Sequence, residues 1–195
     1  MKAEDYAWFR RRIGSLEVAY CLTLVRGLTP VEALERIDAE PAGRVTGVDA
    51  FVTSCPSKHA YGSWYVGATA LDDWTLLVEW CGLLGVTTKV IEPLSAGTQV
   101  VSHYRNVDAE DRFCWMVDGD LRLQFEPLFA YSRTGSDPDG LVDVMQQVGF
   151  DLRDIEDRDF ELHTEAAFAL AEHLTGVRLT AELLESADYL CGLVG

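Results

Sequence analysis

Residues 98–129 constrain the fold more than any other part of this sequence, because they predict three strands of one antiparallel meander. The predicted strands are residues 98–105, 111–117 and 121–127, and polar turn residues separate them. Side chains in a strand alternate between two faces, so a slip of one residue in the pairing would turn every apolar side chain to the opposite face. The residues themselves therefore predict how these strands pair.

The turn after Val117 decides the pairing of the second and third strands. Asp118-Gly119 alone favours a two-residue loop, but that loop would set Trp115 opposite Arg122. A three-residue loop, residues 118–120, sets like residues opposite each other, and we predict this loop. Its pairs are Val117–Leu121, Trp115–Leu123, Phe113–Phe125, Met116–Arg122, Cys114–Gln124 and Arg112–Glu126. The same reasoning predicts the pairs Arg105–Asp111, His103–Phe113 and Val101–Trp115 between the first and second strands.

The rest of the chain predicts more strands first and helices last. Further strands are predicted at residues 16–25, 48–54, 63–70 and 74–80, and helices at 5–12, 30–37, 89–95, 136–148, 164–174 and 180–190. Thr29, Pro30 and Glu32 are typical of a helix start with a capping box. We predict one α+β domain over residues 1–195, sheet-rich over 1–130 and helical over 136–195. Its antiparallel sheet would have about five to seven strands, with helices packed on one face.

Acidic residues dominate the second half of the chain. The formal net charge is −16, of which residues 1–97 contribute −3 (12 acids, 9 bases) and residues 98–195 contribute −13 (20 acids, 7 bases). Such a field repels phosphate backbones and anionic lipids, so we expect neither nucleic acid nor a membrane as a partner. No apolar run approaches the roughly 20 residues of a membrane span, and the first residues do not resemble a secretory signal. We therefore expect a cytoplasmic protein, and its charge suits either a basic protein partner or simply solubility.

Cysteine and histidine spacing indicates neither a metal site nor a cofactor. The five cysteines include no Cys-x-x-Cys pair, and the four histidines have no close zinc-motif spacing, so we predict free thiols and no metal. His103 is expected to be a hydrogen-bonded core residue. Ser57 and His59 place a hydroxyl near an imidazole in a predicted loop, but residues this close rarely face each other and no nucleophile elbow surrounds them.

Four charged residues lie in or beside predicted strands: Glu79, Arg105, Arg112 and Glu126. If they share one face of the sheet, they would line a polar ligand pocket with Trp80 as its apolar wall. The candidate ligand-binding residues are then Glu79, Trp80, Arg105 and Glu126. The alternative is a charge network on the outer face, which the predicted Arg112–Glu126 pair favours.

Residues 151–161 form an acidic connector in which Leu152, Ile155 and Phe160 alternate with carboxylates. Carboxylates around spaced apolar anchors suit docking onto a basic protein. A solvated linker that these three apolar residues pin to the core is the alternative. The candidate partner-binding residues are Asp151, Asp154, Ile155, Glu156, Asp157, Asp159 and Phe160.

Short motifs along most of the chain carry a family resemblance. They include Trp74-Thr-Leu-Leu-Val-Glu79, Leu94-Ser-Ala-Gly97-Thr, Phe125-Glu-Pro-Leu-Phe129 and Arg133-x-Gly135-x-x-Pro138-Asp. On these motifs the chain resembles an actinobacterial family of unknown function. Trp80-Cys81 departs from the Pro-Asn that is typical there. The resemblance implies a fold and a lineage but no activity.

Two functions follow from these observations. The acidic half without a catalytic set predicts a non-enzymatic interaction module, such as an immunity or antitoxin-like partner or a regulatory subunit. The alternative is an enzyme or a small-molecule binder that uses the predicted pocket around Glu79, Arg105 and Glu126. The oligomeric state is not predicted.

Overall fold

Nine strands form one antiparallel sheet in a computed structural model that describes residues 1–56 and 63–195. The strands are β1 (Tyr20–Arg26), β2 (Glu40–Thr46), β3 (Trp64–Leu71), β4 (Trp74–Glu79), β5 (Gln99–Arg105), β6 (Asp111–Val117), β7 (Asp120–Phe125), β8 (Arg133–Thr134) and β9 (Asp188–Val194). They lie in the order β2-β9-β3-β4-β1-β5-β6-β7-β8. The prediction of one antiparallel sheet is confirmed, but five to seven strands is too few because β2, β8 and β9 were missed. Ser57 and His59 lie outside the described residues.

Short helices connect the strands. In the described part of the chain the α-helices are α1 (Phe9–Arg12), α2 (Gly14–Glu17), α3 (Pro30–Arg36), α4 (Val48–Ser54), α5 (Thr88–Leu94), α6 (Val142–Val148), α7 (His163–Thr175) and α8 (Ala181–Ser186), with 3₁₀ helices at Ala3–Tyr6, Leu84–Val86 and Pro127–Phe129. The predicted capping box of α3 is present, since Thr29 Oγ1 accepts the Glu32 N–H and Glu32 accepts the Thr29 N–H. No helix in these described ranges has both the length and the apolar character that crossing a membrane requires.

Helices pack on both faces of the sheet, not on one as predicted. Leu22 and Leu24 of β1 belong to the same buried cluster as Phe168 of α7, and we call this side the α7 face. Val25 of β1 belongs to a second buried cluster with Leu34 of α3 and with residues of α5, on what we call the α3 face. Burial on both faces explains why β1 and β4 are apolar along almost their whole length instead of alternating.

Residues 48–54 form helix α4, so the strand predicted there is wrong. Val48 and Phe51 are fully buried in the cluster on the α7 face, and Val52 packs against it. These three residues follow the i, i+3, i+4 spacing of one helical face, which a short apolar run disguises as a strand.

The C-terminal third of the chain is not wholly helical, which corrects a second prediction. Helix α8 ends at Ser186, and β9 then lies between β2 and β3 in the sheet. The partner strand β2 was missed because Pro41 and Gly43 are rare inside strands. They are accommodated at the edge of the sheet, where the pairing of β2 with β9 shifts register between Pro41 and Arg44.

The β6–β7 hairpin has features of both loops considered from the sequence. Asp118 and Gly119 have φ of 50° and 78°, and Val117 pairs with Asp120, so the turn has two residues and the predicted three-residue loop is wrong. A bulge then shifts the register by one residue beyond Met116, which pairs with Leu121. The confirmed pairs are Trp115–Leu123, Phe113–Phe125 and Cys114–Gln124, together with all three predicted pairs between β5 and β6.

Candidate functional site

The structure places Glu79 and Arg105 on opposite faces of the sheet. Glu79 pairs with Cys21 in β1, and Cys21 pairs with Tyr104 in β5. Paired residues share a face and consecutive residues alternate, so Arg105 points away from the side that holds Glu79. Glu79 lies on the α3 face and Arg105 on the α7 face, and the pocket predicted to combine them is not formed.

Glu79 is the centre of a packed polar cluster on the α3 face. Its side chain is 1% exposed, and its carboxylate accepts the N–H groups of Leu84 (3.2 Å) and Gly85 (3.4 Å). Burial raises the pKa of Glu79 to about 7, against an ordinary value of 4.5. Beside it, Thr23 and Ser102 share a 2.9 Å hydrogen bond.

The two glycines after Glu79 close this cluster. A Cβ at Gly82 would lie 1.9 Å from Glu79 Oε2, and a Cβ at Gly85 would lie 1.9 Å from Thr23 Oγ1. The backbone of residues 82–85 therefore packs directly against the polar side chains. Trp80, the next residue along, is exposed and lines a separate small cavity of about 230 Å³ with Trp64.

Arg105 takes part in a second buried network, on the α7 face. Asp111 Oδ2 accepts Arg105 Nη1 at 2.7 Å and lies 3.2 Å from His163 Nε2, while Arg105 also donates to Thr164 Oγ1 at 3.2 Å. His163 Nδ1 lies 2.6 Å from the carbonyl oxygen of Phe160. The network ties the start of α7 to the end of β5.

Glu126 follows β7 and is half-buried. Burial raises its pKa, and the negative charges of Asp111 and Glu110 raise it further. Glu126 is thus electrostatically linked to the network around Arg105 rather than to Glu79. Within the described residues it forms no ion pair with Arg112, so the charge network favoured from the sequence does not contain that pair.

The acidic connector has a defined conformation that Asp151 organises. Its carboxylate accepts hydrogen bonds from the Arg153 guanidinium and from the N–H of Asp159. The hydrogen bond from Arg153 holds the pKa of Asp151 well below its usual range. Asp151 is therefore used inside the segment, which folds as a loop on the surface.

The three apolar residues of the connector have different environments. Leu152 packs against the cluster on the α7 face, whereas Ile155 and Phe160 remain 45% and 50% exposed. The side chains of Asp154, Glu156, Asp157 and Asp159 in the same segment are also exposed. The connector is thus pinned to the core by one of its three anchors and presents the other two to solvent.

Two aromatic residues from a distant part of the chain join the connector. The guanidinium carbon of Arg158 lies 5.2 Å from the ring centre of Phe129, 5.0 Å from that of Tyr131 and 5.9 Å from that of Phe160. These distances are typical of cation–π contacts. Its Nη1 donates to the carbonyl oxygen of Ile155, and its buried Nε has no hydrogen-bond partner among residues 1–56 and 63–195. We call residues 151–161 with Phe129 and Tyr131 the acidic aromatic surface.

Sequence reasoning identified the carboxylates, Ile155 and Phe160 but missed Phe129, Tyr131 and Arg158. The aromatic pair lies just after β7, and no local pattern connects it with Arg158. The described residues contain no group of three or more His, Cys, Asp or Glu side chains that would hold a metal ion.

The fold and this surface define an α+β protein with a nine-stranded antiparallel sheet and an acidic aromatic surface beside its longest described helix. The chain belongs to DUF6461, a family of unknown function, whose family model matches residues 1–195. Comparisons with curated proteins and with solved structures find no match.

Proposed function

We propose that this protein is a non-enzymatic interaction module that binds a basic protein through the acidic aromatic surface. One observation carries the proposal: Ile155 and Phe160 stay 45% and 50% exposed among exposed carboxylates, although the connector is otherwise folded. Large apolar side chains grouped at a surface are typical of binding sites.

The chemistry of the surface suits a partner with lysine or arginine residues around an apolar side chain. Carboxylates steer such a partner and reject acidic ones, while Ile155 and Phe160 supply apolar area to bury. Phe129 remains 38% exposed while it contacts Arg158, so part of its ring is also available. The contacts of Arg158 illustrate that these rings accommodate a guanidinium group.

Hydrogen bonds at both ends of the connector support a defined conformation, which favours binding. Asp151 folds its first residues, and the His163 contact with the Phe160 carbonyl holds its last ones. A partner that meets an ordered surface loses less conformational entropy on binding than one that must order a flexible segment.

Quantitative affinity capture tests the proposal. The immobilised protein is compared with an Ile155→Ala/Phe160→Ala variant and with Val31→Ala/Val107→Ala, which truncates two exposed apolar residues elsewhere. We expect to recover a basic protein. The wild type and the control should capture it in equal amounts, and the first variant should capture about 10-fold less of it. Equal capture by all three proteins would contradict the apolar part of the proposal.

Charge is tested separately with the purified captured protein. Asp154→Asn/Glu156→Gln/Asp157→Asn is compared with Glu4→Gln/Glu35→Gln/Glu40→Gln, which removes the same charge from exposed positions in the other half of the chain. We expect the first triple variant alone to slow association. Raising the ionic strength from about 0.1 M to about 1 M should weaken wild-type binding, because the screening length falls from about 10 Å to about 3 Å. Binding that is insensitive to both changes would refute electrostatic docking.

A further inference from the structure

A cleft of about 660 Å³ opens where β1 ends and β5 begins, and the acidic aromatic surface contributes nothing to its lining. Its lining includes Arg26, Gln99, Trp115 and Asp118. A second cavity of about 260 Å³, next to the end of α7, shares Arg26 and Gln99 with it. The volume of the cleft lies within the range of small-molecule sites, and one cationic side chain borders both cavities.

Arg26 is exposed, and it lines the smaller cavity together with Asp72 and Asp73. Among the described residues its side chain has neither an ion-pair partner nor a hydrogen-bond acceptor, although its five N–H groups are strong donors. Asp118, the carboxylate in the same cleft, is instead engaged by the Gly97 N–H at 2.7 Å. In a protein of net charge −16 this leaves an exposed cation at the edge of the open cleft.

The backbone around Arg26 indicates which kind of anion fits. Phosphate sites usually combine several free backbone N–H groups. Here the N–H of Gly27 donates to the Asp73 carbonyl at 2.6 Å, and that of Gly97 donates to Asp118, so neither is free. A lone guanidinium matches a carboxylate through two parallel hydrogen bonds.

Trp115 supplies the other half of the recognition. Its indole is partly exposed on the wall of the cleft, its Nε1–H donates to Gln99 Oε1 at 3.4 Å, and the guanidinium carbon of Arg122 lies 5.9 Å from its ring centre. An indole ring stacks well with planar groups. We propose that this cleft binds a small molecule in which a carboxylate is attached to a planar ring, with the carboxylate on Arg26 and the ring on Trp115.

NMR titration of the full chain tests the proposal. The probes are benzoate and indole-3-acetate, each compared with its neutral amide, and inorganic phosphate. The Trp115 indole N–H signal is assigned as the one that Trp115→Phe removes. At about 10 mM probe, which detects millimolar dissociation constants, we expect saturable shifts of this signal with a carboxylate. The amides and phosphate should bind about 10-fold more weakly or cause no shift of this signal.

Matched variants distinguish the cleft from general charge effects. Arg26→Gln should weaken carboxylate binding about 10-fold, as expected for the loss of a charge-assisted pair. Arg44→Gln removes the same charge from an exposed arginine on β2 and should leave binding unchanged. The proposal is overturned if no carboxylate shifts the Trp115 signal, if phosphate or the amides shift it equally, or if both variants behave alike.

Discussion

Replacing Glu79 with glutamine should change how the stability of this protein depends on pH. The carboxyl group is fully buried and receives two backbone N–H groups but no cationic partner within the described residues. Burial disfavours the ionised form and raises the pKa of Glu79 to about 7, from 4.5 in the unfolded chain. The two N–H groups reach different oxygens of Glu79, so glutamine keeps the shape and an acceptor for one of them, and it removes the ionisation.

The sign follows from proton binding. Between pH 4.5 and pH 7 the folded state binds more protons at Glu79 than the unfolded state does, so the free energy of unfolding falls as the pH rises. This contribution is complete below pH 4.5 and lost above about pH 7. The loss between pH 5 and pH 8 is roughly 2 to 3 kcal/mol, since each unit of pKa difference corresponds to about 1.4 kcal/mol.

Urea unfolding at pH 5 and at pH 8 measures the effect. We expect the difference in unfolding free energy between the two pH values to change by roughly 2 to 3 kcal/mol in Glu79→Gln, which is more stable relative to wild type at pH 8 than at pH 5. His103, whose pKa burial lowers to about 4, has the opposite pH dependence, but it is present in both proteins and cancels. Glu35→Gln, at an exposed position, is the control. A pH difference that is the same in Glu79→Gln and wild type, within about 0.5 kcal/mol, would refute this reasoning.

Three further substitutions test the packing and the networks by urea unfolding. Gly85→Ala should lower the free energy of unfolding by about 2 kcal/mol, because the new Cβ would overlap Thr23 Oγ1; an unchanged midpoint would show that the strands give way easily. Thr29→Ala should cost about 1 kcal/mol through loss of the α3 cap, and Thr29→Ser should restore most of it. Asp111→Asn should cost about 3 kcal/mol, since Arg105 loses its buried partner, and amide exchange in residues 151–162 should become faster; protection equal to wild type would argue against the anchoring role.

Local features were predicted where the interacting residues are close in sequence. The α3 capping box involves residues three positions apart, and the pairing of β5 with β6 follows from alternation on either side of a short turn. Such interactions are specified by a few neighbouring residues. The bulge in β7 was nevertheless not predicted. Its one extra residue allows a two-residue turn together with the predicted pairs Trp115–Leu123 and Phe113–Phe125.

Features that depend on distant strands were not predictable in the same way. Whether Glu79 and Arg105 share a face depends on how β4 and β5 pair with β1. Neither strand is joined to β1 by a short turn, so neighbouring residues do not specify the register of these pairings. The place of β9 between β2 and β3 joins opposite ends of the chain.

The sequence by itself determined the charge asymmetry, the antiparallel meander, the α3 helix start and the acidic connector with its carboxylates. Only the tertiary structure decided that helices cover both sides of the sheet, that Phe129 and Tyr131 meet Arg158, and that Arg26 and Trp115 share a cleft. The physical reason is that propensity, capping and alternation act over a few residues. Contacts between distant segments are instead selected by the burial of apolar surface across the whole chain.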